Sequence, residues 1–400
     1  MADKEMIDRA ENVFYKTYNR FPVVFDHGEG VYLYDTEGEE YLDFGAGIAV
    51  MGLGYGEREF TEAVTAQAKK LCHTSNLFYN APAVEAGELL LKASAMDKVF
   101  FTNSGAEAIE GALKIARRYA YNRDGRQDHE IIAMNHSFHG RTMGALSVTG
   151  NAHYQEPFKP MIGGIRFGTF NDLDSVKALV NERTCAVILE TVQGEGGIYP
   201  AQEAFLKGLR ELCDARDMLL ILDEIQCGMG RTGHMFAWQG YGVCPDVMTT
   251  AKALGNGLPV GAFLARGKAA SAMMPGDHGT TYGGNPLAAA GAAAVLKIFE
   301  KRRLADHAQR MGEYLAAALE RIAGEFDWVK ERRGLGLMQG LELSRPAGPV
   351  IREALLNQKL VLIGAGASVI RFVPPLIIQE GDVDEMERRL YRAMQAADWA

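Results

Sequence analysis

Short apolar runs alternate with amphipathic stretches through the middle of the chain. Lys98-Val-Phe-Phe-Thr102, Ile131-Ile-Ala-Met134, Cys185-Ala-Val-Ile-Leu189 and Met218-Leu-Leu-Ile-Leu222 are each too short for a helix. Such runs predict strands buried on both faces. Between them the apolar positions return at helical spacing, predicting helices near 58–72, 81–95, from about Ala106 onward, 172–181 and 202–216. After Ser104 the buried face reads Ile109, Ala112, Leu113, Ala116, Ala120, a 3.6-residue period. Strand, helix, strand, helix predicts an α/β protein with a mostly parallel sheet covered on both sides.

The flanks read differently. The first sixty or so residues look extended and turn-rich, with a hairpin signal in Val31-Tyr-Leu-Tyr34, a Gly-containing turn, and Tyr41-Leu-Asp-Phe44. After Asn285-Pro286 an alanine-rich stretch runs to about 300, then a charged amphipathic helix to about 323. Strands near Gly336–Leu343 and Val369–Val373 and a closing helix complete the chain. The expected organisation is an N-terminal segment, 1–60, joining a small domain, a large ligand-binding domain over 61–285, and a C-terminal small domain over 286–400. No repeat, linker or low-complexity segment interrupts it.

Composition narrows the partners. With 51 acidic against 42 basic residues the net charge is −9, and no dense basic block is present, which argues against nucleic acid and anionic membrane surfaces. No apolar stretch approaches the ~18 residues of a membrane span. The first eleven residues are too acidic for a transit peptide and lack a secretory core. Five scattered cysteines without a CxxC pair fit thiols in a reducing cytosol. Cys227 lies near Asp223, where a small packing residue is favoured over a nucleophile. His136 and His139 have a ligand-like spacing but no second ligand cluster, so no metal is expected.

Two residues bear the chemistry. Asp223 ends one apolar run, at the strand edge where such sheets bind ligands. Lys252 follows another run, inside Ala251-Lys-Ala-Leu-Gly-Asn-Gly257. A lysine that condenses with an aldehyde and an aspartate that keeps a pyridine nitrogen protonated are the requirements of pyridoxal 5′-phosphate. The pair alone fits a strand-capping aspartate and an exposed lysine equally well. Thr102-Asn-Ser-Gly-Ala-Glu107 joins a strand to a helix, with Ser104 and Glu107 at capping-box spacing. The free N–H groups of such a first turn attract a phosphate. Gly52-Leu-Gly-Tyr-Gly56 and Gly334-Leu-Gly-Leu-Met-Gln-Gly340 do not complete a dinucleotide loop, so both read as turns and close-packing sites and a nicotinamide enzyme is disfavoured.

Six segments in order make the pattern specific. They are Asn103-Ser-Gly-Ala-Glu-Ala108, Ser137-Phe-His-Gly-Arg-Thr142, Glu190-Thr-Val-Gln-Gly-Glu-Gly-Gly197, Asp223-Glu-Ile-Gln-Cys-Gly-Met-Gly-Arg-Thr-Gly233, Lys252, and Gly279-Thr-Thr-Tyr-Gly-Gly-Asn-Pro286. From about residue 10 onward the chain resembles the class III aminotransferases of PLP fold type I, and among them most closely the acetylornithine aminotransferases. That resemblance implies a large domain built on a seven-stranded-type, mostly parallel sheet and a smaller α+β domain.

The resemblance also assigns roles. Lys252 would hold pyridoxal phosphate as a Schiff base and shuttle the proton, and Asp223 would pair with the ring nitrogen. Gln226 would bond near the ring hydroxyl, while Phe138 and Ile225 would cover the two ring faces. Ser104, Gly105 and Ala106 would seat the phosphate, reached by Thr281 from the neighbouring subunit of a homodimer. Arg371 would grip a substrate carboxylate and Arg141 a second one at the far end of an acylated diamino acid. Glu195 would gate Arg371. Arg231, Glu107 and Asn285 match the family's motifs as scaffolding.

The implied reaction is a cytosolic ping-pong transamination from N-acetylornithine to 2-oxoglutarate in arginine biosynthesis. Succinylornithine, ornithine, 4-aminobutyrate and lysine-type donors are the near rivals; a semialdehyde aminomutase and a non-catalytic sensor are distant ones. Ile48 falls where ornithine aminotransferases carry a tyrosine, which argues for an N-acylated donor. Gly54-Tyr-Gly-Glu57 and Gly364-Ala-Gly-Ala-Ser368 depart from the family pattern and bear on substrate range.

Overall fold

Seven short buried strands form the central sheet: β1 (Lys98–Thr102), β2 (Glu130–Met134), β3 (Ile165–Gly168), β4 (Thr184–Glu190), β5 (Leu219–Asp223), β6 (Val247–Thr250) and β7 (Gly261–Ala265). The computed structural model describes residues 2–399. Met1 and Ala400, the outer ends of the two flanking segments, lie outside the described residues. Strand order is β1-β7-β6-β5-β4-β2-β3. Strands β3, β2, β4, β5 and β6 run parallel, and β7 lies antiparallel between β6 and β1. Every residue of β2, β4, β5, β6 and β7 is buried, which accounts for runs without a polar face.

Helix α1 (Gly105–Asp124) and helix α2 (Glu203–Ala215) cover this sheet with apolar stripes. Ser104 starts α1 by accepting the Glu107 N–H at 3.2 Å, and Gly125 ends it in the left-handed conformation. Helix α3 (Pro286–Arg302) begins where the Asn285 side chain accepts the Ala288 N–H at 2.9 Å. It packs against the helices at Arg58–Lys70 and Ala81–Ser94.

The remaining strands build two smaller sheets. Val329–Leu335, Met338–Leu343, Val369–Phe372 and Ile363–Ala365 form an antiparallel sheet in that order. The hairpin of Tyr32–Asp35 and Glu40–Asp43 adds Phe25–Glu29 on one edge and Leu360–Val361, parallel, on the other. The two ends of the chain therefore share a sheet.

The structure departs from the sequence reading in several places. A helix, Ala2–Val13, occupies part of the N-terminal segment expected to be extended. None of residues 4–13 is buried, so no core imposes an apolar period there. The helix expected over 172–181 spans only Leu173–Lys177, after which the chain closes in turns. Strands Phe25–Glu29, β3, β7 and Val329–Leu335 were not anticipated. Gly261-Ala-Phe-Leu-Ala265 is too poor in β-branched residues to stand out, and position alone, wedged between two strands, makes it a strand.

Candidate active site

The parallel strands deliver three ionisable residues to one rim of the sheet. Glu190 ends β4, Asp223 ends β5, and Lys252 follows β6. The ladder places Asp223 beside Glu190 on one side and Thr249 on the other. They open on a cavity of about 440 Å³ whose lining includes Ser104, Phe138, Arg141, Ile225 and Gln226.

Asp223 is buried and fully engaged. Its Oδ1 accepts the Ile225 N–H at 3.0 Å and the Thr249 hydroxyl at 3.1 Å, and its Oδ2 lies 2.7 Å from His139 Nδ1. Burial alone would depress the His139 imidazole, but the Asp223 carboxylate outweighs it and the pKa is raised. The buried His139 Nε2 has no hydrogen-bond partner among the described residues. Glu190 accepts backbone N–H groups of Phe138 and Gly194, each at 3.2 Å. Burial pushes its carboxyl up to about 8, helped by Asp223 and opposed by His139. The neighbouring Glu224 is also buried, with a pKa of about 7. It accepts from Thr191 and from the Ala237 and Trp238 N–H groups, so it is a structural carboxylate.

Lys252 sits at φ +47°, a conformation unusual for a side chain of this size. Burial lowers its pKa to about 8, with the positive charge of Arg371 adding to the effect. An amine in that range is nucleophilic near neutrality.

The residues fit a phosphorylated pyridine aldehyde. Ser104, Gly105 and Ala106 stand where α1 begins, with N–H groups free of intrahelical bonds. A Cβ at Gly105 would come within 2.9 Å of Ile225 Cδ1, so glycine lets Ile225 pack closely against the start of α1. Phe138 and Ile225 supply apolar walls, and Asp223 stands ready for a cationic nitrogen.

Two arginines face the cavity region in opposite states. Arg371, nearly fully buried on the strand Val369–Phe372, puts its Nη1 2.6 Å from Glu195 Oε1 and 2.9 Å from Gln226 Oε1. Arg141 is exposed and lies in no hydrogen bond or ion pair among the described residues. Its guanidinium carbon lies 3.7 Å from the ring centroid of Tyr154 and 5.3 Å from that of Phe138.

The structure thus gathers eleven of the twelve cofactor and substrate residues expected from sequence around or beside this cavity. Gln226 bonds Arg371 here. Thr281 is exposed on the loop before α3, outside the cavity of its own chain. Glu107 bonds the Asn103 N–H at 2.8 Å, and the buried Arg231 donates to the Leu337 and Pro374 carbonyls. Cys227 is buried, and burial pushes its thiol well up, a packing residue's environment. The pairing of His139 with Asp223 goes beyond the sequence reading, in which His139 has only a ligand-like spacing from His136. Its place directly after Phe138 was the available signal. Tyr154, on a single helical turn without a motif, gives none. Among the described residues, no three His, Cys, Asp or Glu side chains converge on a metal site. No helix there is long and apolar enough to cross a membrane.

Comparison with known proteins gives a consistent picture. The family model described as aminotransferase class-III matches residues 13–394. A curated relative, the acetylornithine aminotransferase of Clostridium acetobutylicum, is 49% identical over 370 residues, covering 92% of this chain and 95% of its own. The solved N-acetylornithine aminotransferase of Stenotrophomonas maltophilia K279a superposes with a TM-score of 0.84 at 40% identity, covering 98% of both chains. The ornithine aminotransferase of Toxoplasma gondii, crystallised with oxidized glutathione and showing partial PLP occupancy at its active site, gives a TM-score of 0.95 at 31% identity. That match covers 99% of this chain and 94% of the other.

Proposed function

The chain belongs to the class III aminotransferases, and from that premise we propose that it moves the δ-amino group of N-acetylornithine to 2-oxoglutarate in a ping-pong cycle. The products are N-acetylglutamate 5-semialdehyde and glutamate, and pyridoxal 5′-phosphate is the cofactor. Support for the donor comes from the Clostridium acetobutylicum relative and the Stenotrophomonas maltophilia structure.

One observation carries the substrate reading: Arg371 is masked by Glu195 at 2.6 Å while Arg141 is unpaired. An ω-amino donor brings a single carboxylate, at the end remote from the reacting amine. It needs one free arginine, and Arg141 is free. 2-Oxoglutarate brings two carboxylates, so Glu195 must release Arg371 for the second bidentate contact. One cavity then serves two substrates of different shape.

Pyridoxal phosphate, when bound, supplies an aldehyde that condenses with amines and an electron-withdrawing ring. The chain supplies the rest. Ser104, Gly105 and Ala106 hold the phosphate by N–H groups at the start of α1. Asp223, oriented by His139 and Thr249, would hold a proton on the ring nitrogen. Gln226 bonds near the ring hydroxyl, and Phe138 and Ile225 exclude water from its faces. Lys252 Nζ would hold the cofactor's aldehyde and, as a free amine, would carry the proton at the substrate carbon.

A homodimer completes the site in this reading. Leu77, Phe78, Tyr79 and Tyr282 form an exposed apolar surface, with Tyr79 fully exposed. Asn76 and Asn80 tie that segment to the loop bearing Thr281, through the Gly283 carbonyl at 2.8 Å and the Gly284 carbonyl at 3.1 Å. Such a patch is a protein interface rather than a solvated face. Five unpaired cysteines suit a reducing cytosol.

The test is a half-reaction without oxo acid, followed by the yellow absorbance of the purified protein. N-Acetylornithine should bleach it faster than ornithine or 4-aminobutyrate. Faster bleaching by another amine would move the protein to a sister activity, and no yellow form in cofactor-replete protein would overturn the cofactor.

A further inference from the structure

Arg141 has no acceptor for its five N–H donors among the described residues, yet it is not loose. Tyr154 lies under it at 3.7 Å from ring centroid to guanidinium carbon. Phe138 flanks the same guanidinium at 5.3 Å and meets Tyr154 edge to face at 6.2 Å. The two rings form a corner, and Arg141 fills it. We propose that Tyr154 is a positioning residue that holds Arg141 open as a carboxylate receptor, and so sets the selectivity for donors carrying a distal carboxylate. The proposal rests on the role given to Arg141 above and adds what keeps that residue in place.

Three features support it. A stacked guanidinium keeps its in-plane donors free for a bidentate carboxylate, whereas an ion pair would occupy them, as Glu195 does on Arg371. An unstacked arginine would have to lose its side-chain freedom on each binding event, and prior stacking removes much of that loss. The turn that carries the ring is anchored. Tyr154 lies on the short helix Ala152–Gln155, where Gln155 Nε2 donates to the Leu146 and Thr149 carbonyls, both at 3.0 Å. Asn151 caps the turn by accepting the His153 N–H at 3.1 Å.

The hydroxyl of Tyr154 bonds no described residue, so the aromatic face alone does the work. That predicts a sharp difference between two substitutions. Tyr154→Phe keeps the face and Tyr154→Leu removes it, with Tyr154→Gln as a second ringless variant should leucine fold poorly.

The experiment measures glutarate, an unreactive dicarboxylate, by calorimetric titration of the holoenzyme, and half-reaction kinetics with two donors. These are N-acetylornithine and N-acetylputrescine, the same amine without its carboxylate. Removing the ring should weaken glutarate and raise KM for N-acetylornithine about tenfold, the scale of one cation–π contact. kcat should stay within about twofold, as should kcat/KM for N-acetylputrescine, which gains nothing from Arg141. Tyr154→Phe should behave as wild type. Unchanged glutarate binding in both ringless variants would overturn the proposal. So would an equal loss for both donors, which would mark Tyr154 as merely structural. Because glutarate binding does not depend on which amine is the natural donor, failure of the N-acetylornithine assignment would leave this result readable on its own.

Discussion

His139 Nδ1 and Asp223 Oδ2 lie 2.7 Å apart in a fully buried contact at the sheet rim. The contact orients the carboxylate, and the Asp223 side chain raises the pKa of the imidazole against the opposing effect of burial. In the proposed cycle the aspartate so oriented would face the ring nitrogen of the cofactor. Asp223→Asn keeps the shape and removes the charge. It should slow the single-turnover half-reaction by about 10²–10³-fold, the usual scale for a lost electrostatic stabiliser. His139→Gln should cost less, about 10–100-fold, because it acts through Asp223. An Asp223→Asn enzyme within a few-fold of wild type would refute the pairing with the ring nitrogen.

Glu195 and Arg371 make a different kind of pair, one that the proposed cycle requires to open. Glu195→Gln weakens the mask without emptying the site. The half-reaction with glutamate should then gain on the half-reaction with N-acetylornithine, by roughly the fivefold to fiftyfold worth of a charge-assisted contact exchanged for a neutral one. An unchanged ratio of the two rates would show that no gate operates.

Lys252 offers a pH signature. Burial and the charge of Arg371 disfavour its ammonium and bring the pKa to about 8. The reactive free amine therefore grows with rising pH and saturates once the pKa is passed. Uptake of pyridoxal phosphate by cofactor-stripped protein should rise about tenfold from pH 7 to about 9 and then level off, whereas an ordinary lysine, titrating near 10.4, would still be climbing. Stopped-flow absorbance gives the profile. A rate still rising tenfold per pH unit above 9 would mean the amine is not perturbed.

Much of this was legible because the parallel sheet writes itself into the sequence. Strands β4 and β5 are buried on both faces, so they appear as unbroken apolar runs, and the polar residue that ends each run marks the ligand rim. Capping chemistry was equally readable: Ser104 and Asn285 start α1 and α3. What stayed hidden depends on tertiary placement. β7 is a strand only because β6 and β1 flank it. His139 meets Asp223 across 84 positions of sequence. Tyr154 reaches Arg141 from a helical turn too short to show a periodicity. The left-handed backbone at Ala46, Ile48 and Ala49 has no sequence signal either, since a β-branched residue such as Ile48 resists that conformation.

Gly111 shows how packing overrides propensity. In an open helix, alanine would be more stable than glycine by about 1 kcal/mol. Here a Cβ would fall 2.1 Å from Phe263 Cε1, and that ring is already stacked on Phe100 at 4.9 Å. Overpacking of this kind costs about 1–3 kcal/mol, so the clash wins. Gly111→Ala should lower the urea midpoint of unfolding. A higher midpoint would mean that Phe263 yields freely and that α1 is not held this tightly on β7.

The proposed dimer can be tested through its shared site. If each cavity takes Lys252 from one subunit and Thr281 from the other, the two residues can be inactivated on different chains. Lys252→Ala homodimers should be inactive, and Thr281→Ala homodimers should bind pyridoxal phosphate weakly and lose most activity at low cofactor. In a hybrid dimer one cavity then collects both defects and the other collects neither. Random reassembly should therefore restore about a quarter of wild-type activity, since half the dimers are hybrids and half their sites intact. A site built within a single chain predicts no such recovery, because no cavity in the mixture would be free of both substitutions. Tyr79→Asp supplies the control. It places a charge on the exposed apolar face, should shift the protein toward monomer in sedimentation, and should abolish the complementation along with the dimer. A Tyr79→Asp protein that kept both its dimer and its recovery would show that the subunits meet elsewhere than on this face.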